Sequence, residues 1–332
     1  MRTIASGAFA LAVSLWGLLA LAVSVSGAFA QSAADYPASA VKILVPFAAG
    51  GPTDVVARIL ADQLSARWGG KSVVVENRPG AGTIVMTTAV AKAPPDGLTL
   101  GVATNSLLIN PAIGMKLPYD TFREIVGVSM IATQPVALVA NKAFPANSLA
   151  EVVDLAKKAP EPLNYTSPGP RGVGHLAGEL LQQKAGIRLT HINYNGSAPA
   201  LTDVIAGRVP LMFDIWHSAR RYVESGELKL IAGAGPDPLP GAETVAVIDK
   251  TYPGFTVVAF NAVIAPAGVP PALLEKISAD VRAIVTSPVF AERTRPLGIN
   301  NWGSTPRELD TWFAAETEKW AAIAKAANLK AE

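Results

Sequence analysis

The chain has 332 residues, with 28 lysines and arginines against 26 aspartates and glutamates, three histidines and no cysteine. A nearly neutral balance without basic clusters argues against nucleic acid as a partner. The lack of cysteine removes disulfides and thiolate chemistry, so stability must come from a large apolar core, consistent with 50% hydrophobic residues.

The first thirty residues stand apart from the fold. Arg2 is their only charge, Ala8 to Val25 is almost wholly apolar, and Ala28-Phe29-Ala30 precedes Gln31 as a small-x-small cleavage site. This pattern predicts a secretory signal peptide cut after Ala30 and an exported protein. A retained anchor is the rival reading, set against an apolar stretch near the lower length limit for spanning a bilayer. Removal of residues 1–30 leaves a formal charge of +1 and about 300 residues, enough for two domains.

From Val41 onward, strand-like runs alternate with helical patterns, which predicts an α/β fold with mainly parallel sheets flanked by helices. Val41–Pro46 reads as a strand that breaks into Ala-Ala-Gly-Gly-Pro-Thr before a helix near Asp54–Trp68. Ser72–Val75 and Leu98–Ala103 read as further strands, separated by a helix through Ala89. Leu163–Thr166, Leu189–Tyr194, Val209–Phe213 and Leu228–Ala232 continue the pattern. The apolar runs Ile125–Ala140 and Phe255–Ala265 are long for single strands and read as crossings between two domains. The expected division is 31–133 with 262–332 as domain 1, and an inserted domain 2 of 134–261. Helices near Pro271–Thr286 and Pro306–Ala327 return to domain 1.

The opening glycine turn has the geometry of an anion site. Amide groups at a helix start are unpaired and carry the positive end of the helix dipole. Glycine admits a close ligand, and Pro52 suits a first helical turn. No lysine follows the glycines, so a carboxylate is a better fit than a phosphate. Phe47, Ala49, Gly50 and Thr53 are the candidate contacts. Asp54 fits a structural place in the first turn.

Four more strand ends carry hydroxyls, amides and glycine: Thr104, Asn105 and Ser106; Thr166, Ser167, Gly169 and Arg171; Asn195, Gly196 and Ser197; and Asp214 with Trp216. In open α/β sheets ligands bind beyond the carboxyl ends of strands. Each loop alone is a plausible cap or turn; five together point to one polar crevice. Arg171 is the only cation among them and suits a bidentate clamp on a second carboxylate, or a solvated loop position. Asp214 reads equally as a helix cap or as an acceptor for a ligand proton.

No catalytic or metal-binding pattern stands out. His175 and Glu179 lie four apart without the zinc-protease arrangement, and a nucleophile elbow is absent. The Gly80–Gly82 turn lacks the dinucleotide fingerprint, and no cofactor is expected. The alternatives are a secreted hydrolase using Ser167 or Ser106, and a sensory receptor presenting its ligand to a membrane kinase.

The segments YPASAVKILVPFAAGGPTDVVARIL, VVVENRPGAG, APPDGLTL, INPAIGMKLPYD, HLAGELL, NGSAPALTDVIAGRVPLMFD and ESGELKLIA resemble successive motifs of the tripartite tricarboxylate transporter substrate-binding proteins, the Bug receptors. The resemblance runs from Tyr36 to the C-terminal helices. It implies a periplasmic protein of type II periplasmic binding protein-like fold, a two-lobe Venus flytrap that closes on a small carboxylate and delivers it to a membrane permease; a monomer is expected, although the sequence is silent on oligomeric state. It also implies that Phe47 to Thr53 and Thr104 to Ser106 hold one carboxylate. Thr166 to His175, Asn195 to Ser197 and the Asp214 turn would close over the remainder. Ser167-Pro168-Gly169-Pro170-Arg171-Gly172 and Asn195 depart from the usual loops. With Trp216 and His217 as aromatic surface, they suggest an aromatic mono- or dicarboxylate, while citrate-like, four-carbon and nicotinate-like acids stay open.

Overall fold

A computed structural model describes residues 35–194 and 196–327. The signal-peptide expectation and Asn195 therefore lie outside the described residues.

The strands are β1 (Val41–Val45), β2 (Val73–Asn77), β3 (Thr99–Ala103), β4 (Ile125–Asn141), β5 (Leu163–Thr166), β6 (Leu189–Ile192), β7 (Leu211–Ile215), β8 (Leu228–Gly233), β9 (Val258–Pro266) and β10 (Asn300–Asn301). The helices are α1 (Pro52–Arg67), α2 (Ile84–Ala91), α3 (Ser106–Ala112), α4 (Leu149–Lys158), α5 (Val173–Ala185), α6 (Ser197–Ile205), α7 (Trp216–Glu224), α8 (Ile248–Thr251), α9 (Pro271–Val285), α10 (Pro288–Thr294) and α11 (Pro306–Ala326).

Local sequence explains many of these elements. α1 starts with Pro52 and has Asp54 in its first turn and Arg67 in its last, both matched to the helix dipole. Its buried stripe includes Val56, Ile59, Leu60 and Leu64. Ile43 and Val45 of β1 pack in the same core, whereas Leu44 turns to the opposite face with Met86 and Val90. Burial on both faces is why β1 reads as a continuous apolar run rather than an alternation. Truncation of Leu60, fully buried here, would cost about 2–5 kcal/mol. α11 begins with a capping box: the Glu308 amide donates to Thr305 Oγ1, and the Thr305 amide donates back to the Glu308 carboxylate.

The sheet runs β2-β1-β3-β9-β4-β7-β5-β6, with β10 and β8 also paired to β4. β1 pairs in parallel with β2 and β3, and β5 pairs in parallel with β6 and β7. The pairs β3–β9, β9–β4, β4–β7 and β4–β8 are antiparallel. Each lobe is thus mixed, and less parallel than the sequence suggests. The helix-connected strands follow the parallel rule, while the two long apolar runs introduce antiparallel partners.

The run Ile125–Ala140 lies within a single strand of 17 residues, Ile125–Asn141, that belongs to both lobes. Its first part, Ile125 to Pro135, pairs with β9; from Val136 it pairs with β7, and from Ala137 with β8. The second crossing lies just before β9, where the Val257 amide donates to the Ala234 carbonyl. One apolar cluster gathers α11 residues Leu309, Phe313 and Trp320 together with α5 residues Leu176 and Leu180, so the core passes from lobe to lobe.

Candidate functional site between the strand ends

Strand direction decides where the loops go. β3 and β4 run the same way, because each is antiparallel to β9; β7, β5 and β6 run against β4. The carboxyl ends of β1 and β3 therefore point along β4 toward lobe 2, and those of β5, β6 and β7 point back toward lobe 1. In register, the end of β3 is level with Met130 through Ala262, and the end of β7 is level with Val136. Six residues of strand separate the two levels, roughly 20 Å. The sequence-predicted loops project into that interval from both sides.

On the lobe 1 side, the glycine turn is held from behind. Asp54 is buried, and its carboxylate accepts from the Gly50 amide at 2.8 Å, from Arg58 Nε at 2.9 Å and Nη2 at 3.0 Å, and from Asn77 Nδ2 at 2.8 Å. Burial alone would raise its pKa, but these hydrogen bonds and the Arg58 charge outweigh it and hold the carboxyl below its ordinary value. Its structural role is thus more specific than a dipole contact: it shapes the turn. Gly50 sits at φ 85°, a conformation that glycine adopts without penalty. Phe47 is 43% exposed and Ala49 is exposed at the mouth. Thr53 is nearly buried at the start of α1 and accepts a hydrogen bond from Asn261 Nδ2 at 3.3 Å.

Thr104 and Ser106 are partly exposed at the end of β3, and neither side chain has a protein hydrogen bond among the described residues. Asn105 between them is committed elsewhere. Its Nδ2 donates to the Val258 carbonyl at 2.9 Å and its Oδ1 accepts from the Phe260 amide at 3.2 Å. The side chain imitates a peptide group and prolongs the β3–β9 ladder, so its role is architectural.

In lobe 2, Thr166 and Ser167 are fully buried. Thr166 Oγ1 donates to the Ile192 carbonyl at 2.7 Å. Ser167 Oγ lies 2.9 Å from the Gly169 carbonyl and 2.8 Å from His191 Nε2. A carbonyl only accepts, so both contacts are met when the serine donates to Gly169 and His191 Nε2–H donates to the serine. That arrangement orders the loop and leaves Ser167 neither exposed nor activated. His191 stacks on His175 with centroids 4.0 Å apart, and burial, then the neighbouring His175, push its pKa down to about 4. His175 Nδ1 in turn accepts the Arg171 amide at 2.9 Å.

Arg171 itself has φ 58°, in the left-handed region that costs a side chain about 1–2 kcal/mol. Its guanidinium makes no hydrogen bond or ion pair among the described residues, whose ion pairs engage other arginines. Gly174 explains the placement of the loop: a Cβ there would stand 2.5 Å from the Phe213 carbonyl oxygen and 2.9 Å from Ser167 Cβ. Only glycine lets the start of α5 close down on β7.

The neighbouring loop is tied to this one, because the Gly196 amide donates to the Pro168 carbonyl at 2.6 Å. Ser197 Oγ donates to Asp214 Oδ1 at 3.0 Å, and the Ile215 amide donates to the same oxygen at 2.8 Å. Asp214 Oδ2 is buried without a partner among the described residues. Burial pushes this carboxyl up to about 7, only partly offset by the Ile215 amide and Ser197.

Trp216 corrects the expectation of aromatic surface. It is 2% exposed, packs in the core of lobe 2, and its Nε1–H donates to the Pro240 carbonyl at 2.9 Å. The apolar packing of α7 draws it inward. Residues that sequence reasoning passed over are Arg58 and Asn77 behind the turn, His191 beside Ser167, and Asn261 behind Thr53. Asn77 lies within the VVVENRPGAG motif and was within reach of the sequence. Arg58 was also within reach, four residues after Asp54 on the same helix, whereas His191 and Asn261 depend on strand register. Among the described residues no group of three or more histidines, aspartates or glutamates is arranged to hold a metal, and no helix is long and apolar enough to cross a membrane.

Two lobes joined by crossing strands, with donor-rich strand ends opposed across the crossing, define the periplasmic binding protein class. The structure superposes on the periplasmic binding protein BugD with a TM-score of 0.78 and 30% identity, over 90% of this chain and 100% of that one. It matches Rpa4515 of R. palustris with adipate at TM-score 0.80 and 30% identity, covering 88% and 98%. MatC of Rhodopseudomonas palustris with bound malate gives 0.76 and 28%, covering 87% and 99%. Protein BugT of Bordetella pertussis is 30% identical over 322 residues, 95% of this chain and 98% of its own. Residues 56–329 match the tripartite tricarboxylate transporter family receptor profile, and the chain belongs to that family, the Bug receptors. Its members are periplasmic solute-binding receptors.

Proposed function

We propose that this protein captures a small organic dicarboxylate between its lobes and delivers it to the membrane permease of a tripartite tricarboxylate transporter. The reading is supported by one observation: the strand before the glycine turn runs toward lobe 2, the strand before the Arg171 loop runs back toward lobe 1, and Arg171 combines a φ of 58° with a guanidinium that has no partner among the described residues. One carboxylate fits the Gly51 and Thr53 amides with the Thr53, Thr104 and Ser106 hydroxyls; the other fits Arg171. Backbone strain at a binding loop is retained where the side chain is needed there. Adipate on Rpa4515 and malate on MatC, both dicarboxylates, support the reading. The aromatic preference loses the support of Trp216 and rests on the proline-bounded Ser167–Gly172 loop and His217, which is partly exposed.

A ligand that touches both lobes binds the closed form better and shifts the population toward it. A few charge-assisted hydrogen bonds, each worth about 1.5–3 kcal/mol, suffice for micromolar affinity after the entropy of capture. The lobes expected from the sequence are 31–133 with 262–332, and 134–261; because β4 pairs with β9 as far as Pro135, and β9 pairs from Val258 onward with lobe 1 strands, the proposed boundaries fall near Val136 and Val258, which places Gln134 and Asn261 in lobe 1. Export with cleavage after Ala30 completes the proposal, and N-terminal sequencing of the exported protein tests it.

Calorimetric titration with adipate, malate and phthalate, paired with small-angle scattering, tests the function. Binding of at least one acid with a smaller radius of gyration is expected. Failure of every carboxylate to bind, or tight binding at unchanged radius, would overturn it.

A further inference from the structure

Behind the glycine turn three uncharged polar side chains form a line through the core of lobe 1. Gln134 Nε2 donates to Asn261 Oδ1 at 2.8 Å, and Asn261 Nδ2 donates to Thr53 Oγ1 at 3.3 Å. Gln134 is 3% exposed, Asn261 2% and Thr53 8%. Gln134 lies on β4 two residues before Val136, where the strand changes partners, Asn261 lies on β9, and Thr53 is in the first turn of α1. Their neighbours in this layer, Val263 and Ala132, are apolar, so two amides here replace side chains that would be buried without any polar cost.

The line has a direction. The Asn261 carbonyl is taken by Gln134, which leaves its NH₂ to face Thr53. A threonine oxygen that accepts from an amide keeps its own proton for another acceptor. Among the described residues that proton has no protein acceptor. Thr53 stands beside the free amides at the start of α1, where an incoming carboxylate supplies the missing one. Reversal of both amides would make Thr53 the donor to Asn261 and present a lone pair to the ligand, which repels a carboxylate and suits a hydroxyl or ammonium group.

We propose that Asn261 is a positioning residue that fixes the Thr53 hydroxyl as a donor toward an anionic ligand, with Gln134 holding the Asn261 amide in the required orientation. The proposal rests on the carboxylate reading of the site and identifies a determinant of ligand charge that does not itself touch the ligand.

A double-mutant cycle with adipate or malate, whichever the native protein binds more tightly, tests it by calorimetry. Thr53→Val and Asn261→Leu are each expected to weaken binding about 5- to 10-fold, the scale of one hydrogen bond. The double variant is expected to bind no worse than Thr53→Val alone, a coupling that a merely structural asparagine would not show. Asn261→Asp, which can only accept from Thr53 and brings a buried negative charge, is expected to weaken binding more than 100-fold. Gln134→Met gives a second cycle with Thr53→Val should Asn261→Leu fail to fold. Additive losses, or unchanged affinity in Asn261→Leu, overturn the relay while the dicarboxylate reading stands. A native protein that binds neither acid at the first titration overturns this inference; if every other carboxylate also fails, the functional reading falls with it.

Discussion

Asn77 bridges Phe47 and Asp54: its Nδ2 donates to the Phe47 carbonyl and to Asp54 Oδ1, each at 2.8 Å. The end of β2 thereby holds the end of β1 and the start of α1 in one geometry. The turn that faces the cleft is rigid because its support lies behind it.

Asp54→Asn should therefore weaken both fold and binding. The variant keeps the size of the side chain but loses the charge that Arg58 and the Gly50 amide satisfy. A loss of about 2 kcal/mol is expected, below the full cost of breaking a buried pair because Arg58 is half exposed and can return to water. Urea denaturation at pH 7 measures it, and calorimetry should show at least a tenfold loss of dicarboxylate affinity. The Asp54 carboxyl is held below its unfolded value, so its contribution is present above the unfolded pKa of about 4 and fades only as pH falls through the lower folded value.

Asp214 is expected to give the opposite pH response. Its folded value of about 7 lies above the unfolded value, so the folded protein holds the proton more tightly. Stability of the ligand-free protein should fall as pH rises from about 4 through about 7, by an amount on the order of a few kcal/mol. Denaturation midpoints at pH 5 and pH 8.5 measure the difference. Asp214→Asn should flatten the profile and preserve dicarboxylate affinity above pH 7, where the native protein acquires a repelling charge. An unchanged slope in the variant would assign the response to another group.

Arg171→Gly should separate stability from binding. Glycine accepts φ 58° without strain, so the folded protein is expected to gain about 1 kcal/mol. Affinity for adipate should fall more than tenfold, whereas a monocarboxylate of similar length should lose little. Parallel thermal melts and titrations measure both. Equal losses for the two acids would place Arg171 outside the contact with a second carboxylate.

The sequence made the α/β alternation legible because apolar runs and helical stripes are local signals, reinforced at some helix starts by Pro52 and the Thr305–Glu308 box. It also indicated the loops, since hydroxyls and glycines after apolar runs are a local signal. It did not indicate which side chains turn inward. Asn105, Ser167 and Trp216 look like surface chemistry in one dimension, yet each is bound to a distant partner: β9, His191 and Pro240. Such contacts depend on register between strands remote in sequence. For the same reason, the pairing of Gln134 with Asn261 has no trace in either segment alone.

β4 enters one lobe and leaves through the other as one continuous strand, paired along its length despite register shifts near Gly127, Met130 and Leu138. Neither half can be cut out as a self-sufficient stretch of polypeptide, because excision would strip an interior strand from the half left behind. Two halves that share a load-carrying rib must be synthesised, folded and degraded as a unit, and recombination between relatives cannot exchange one half without rebuilding the rib.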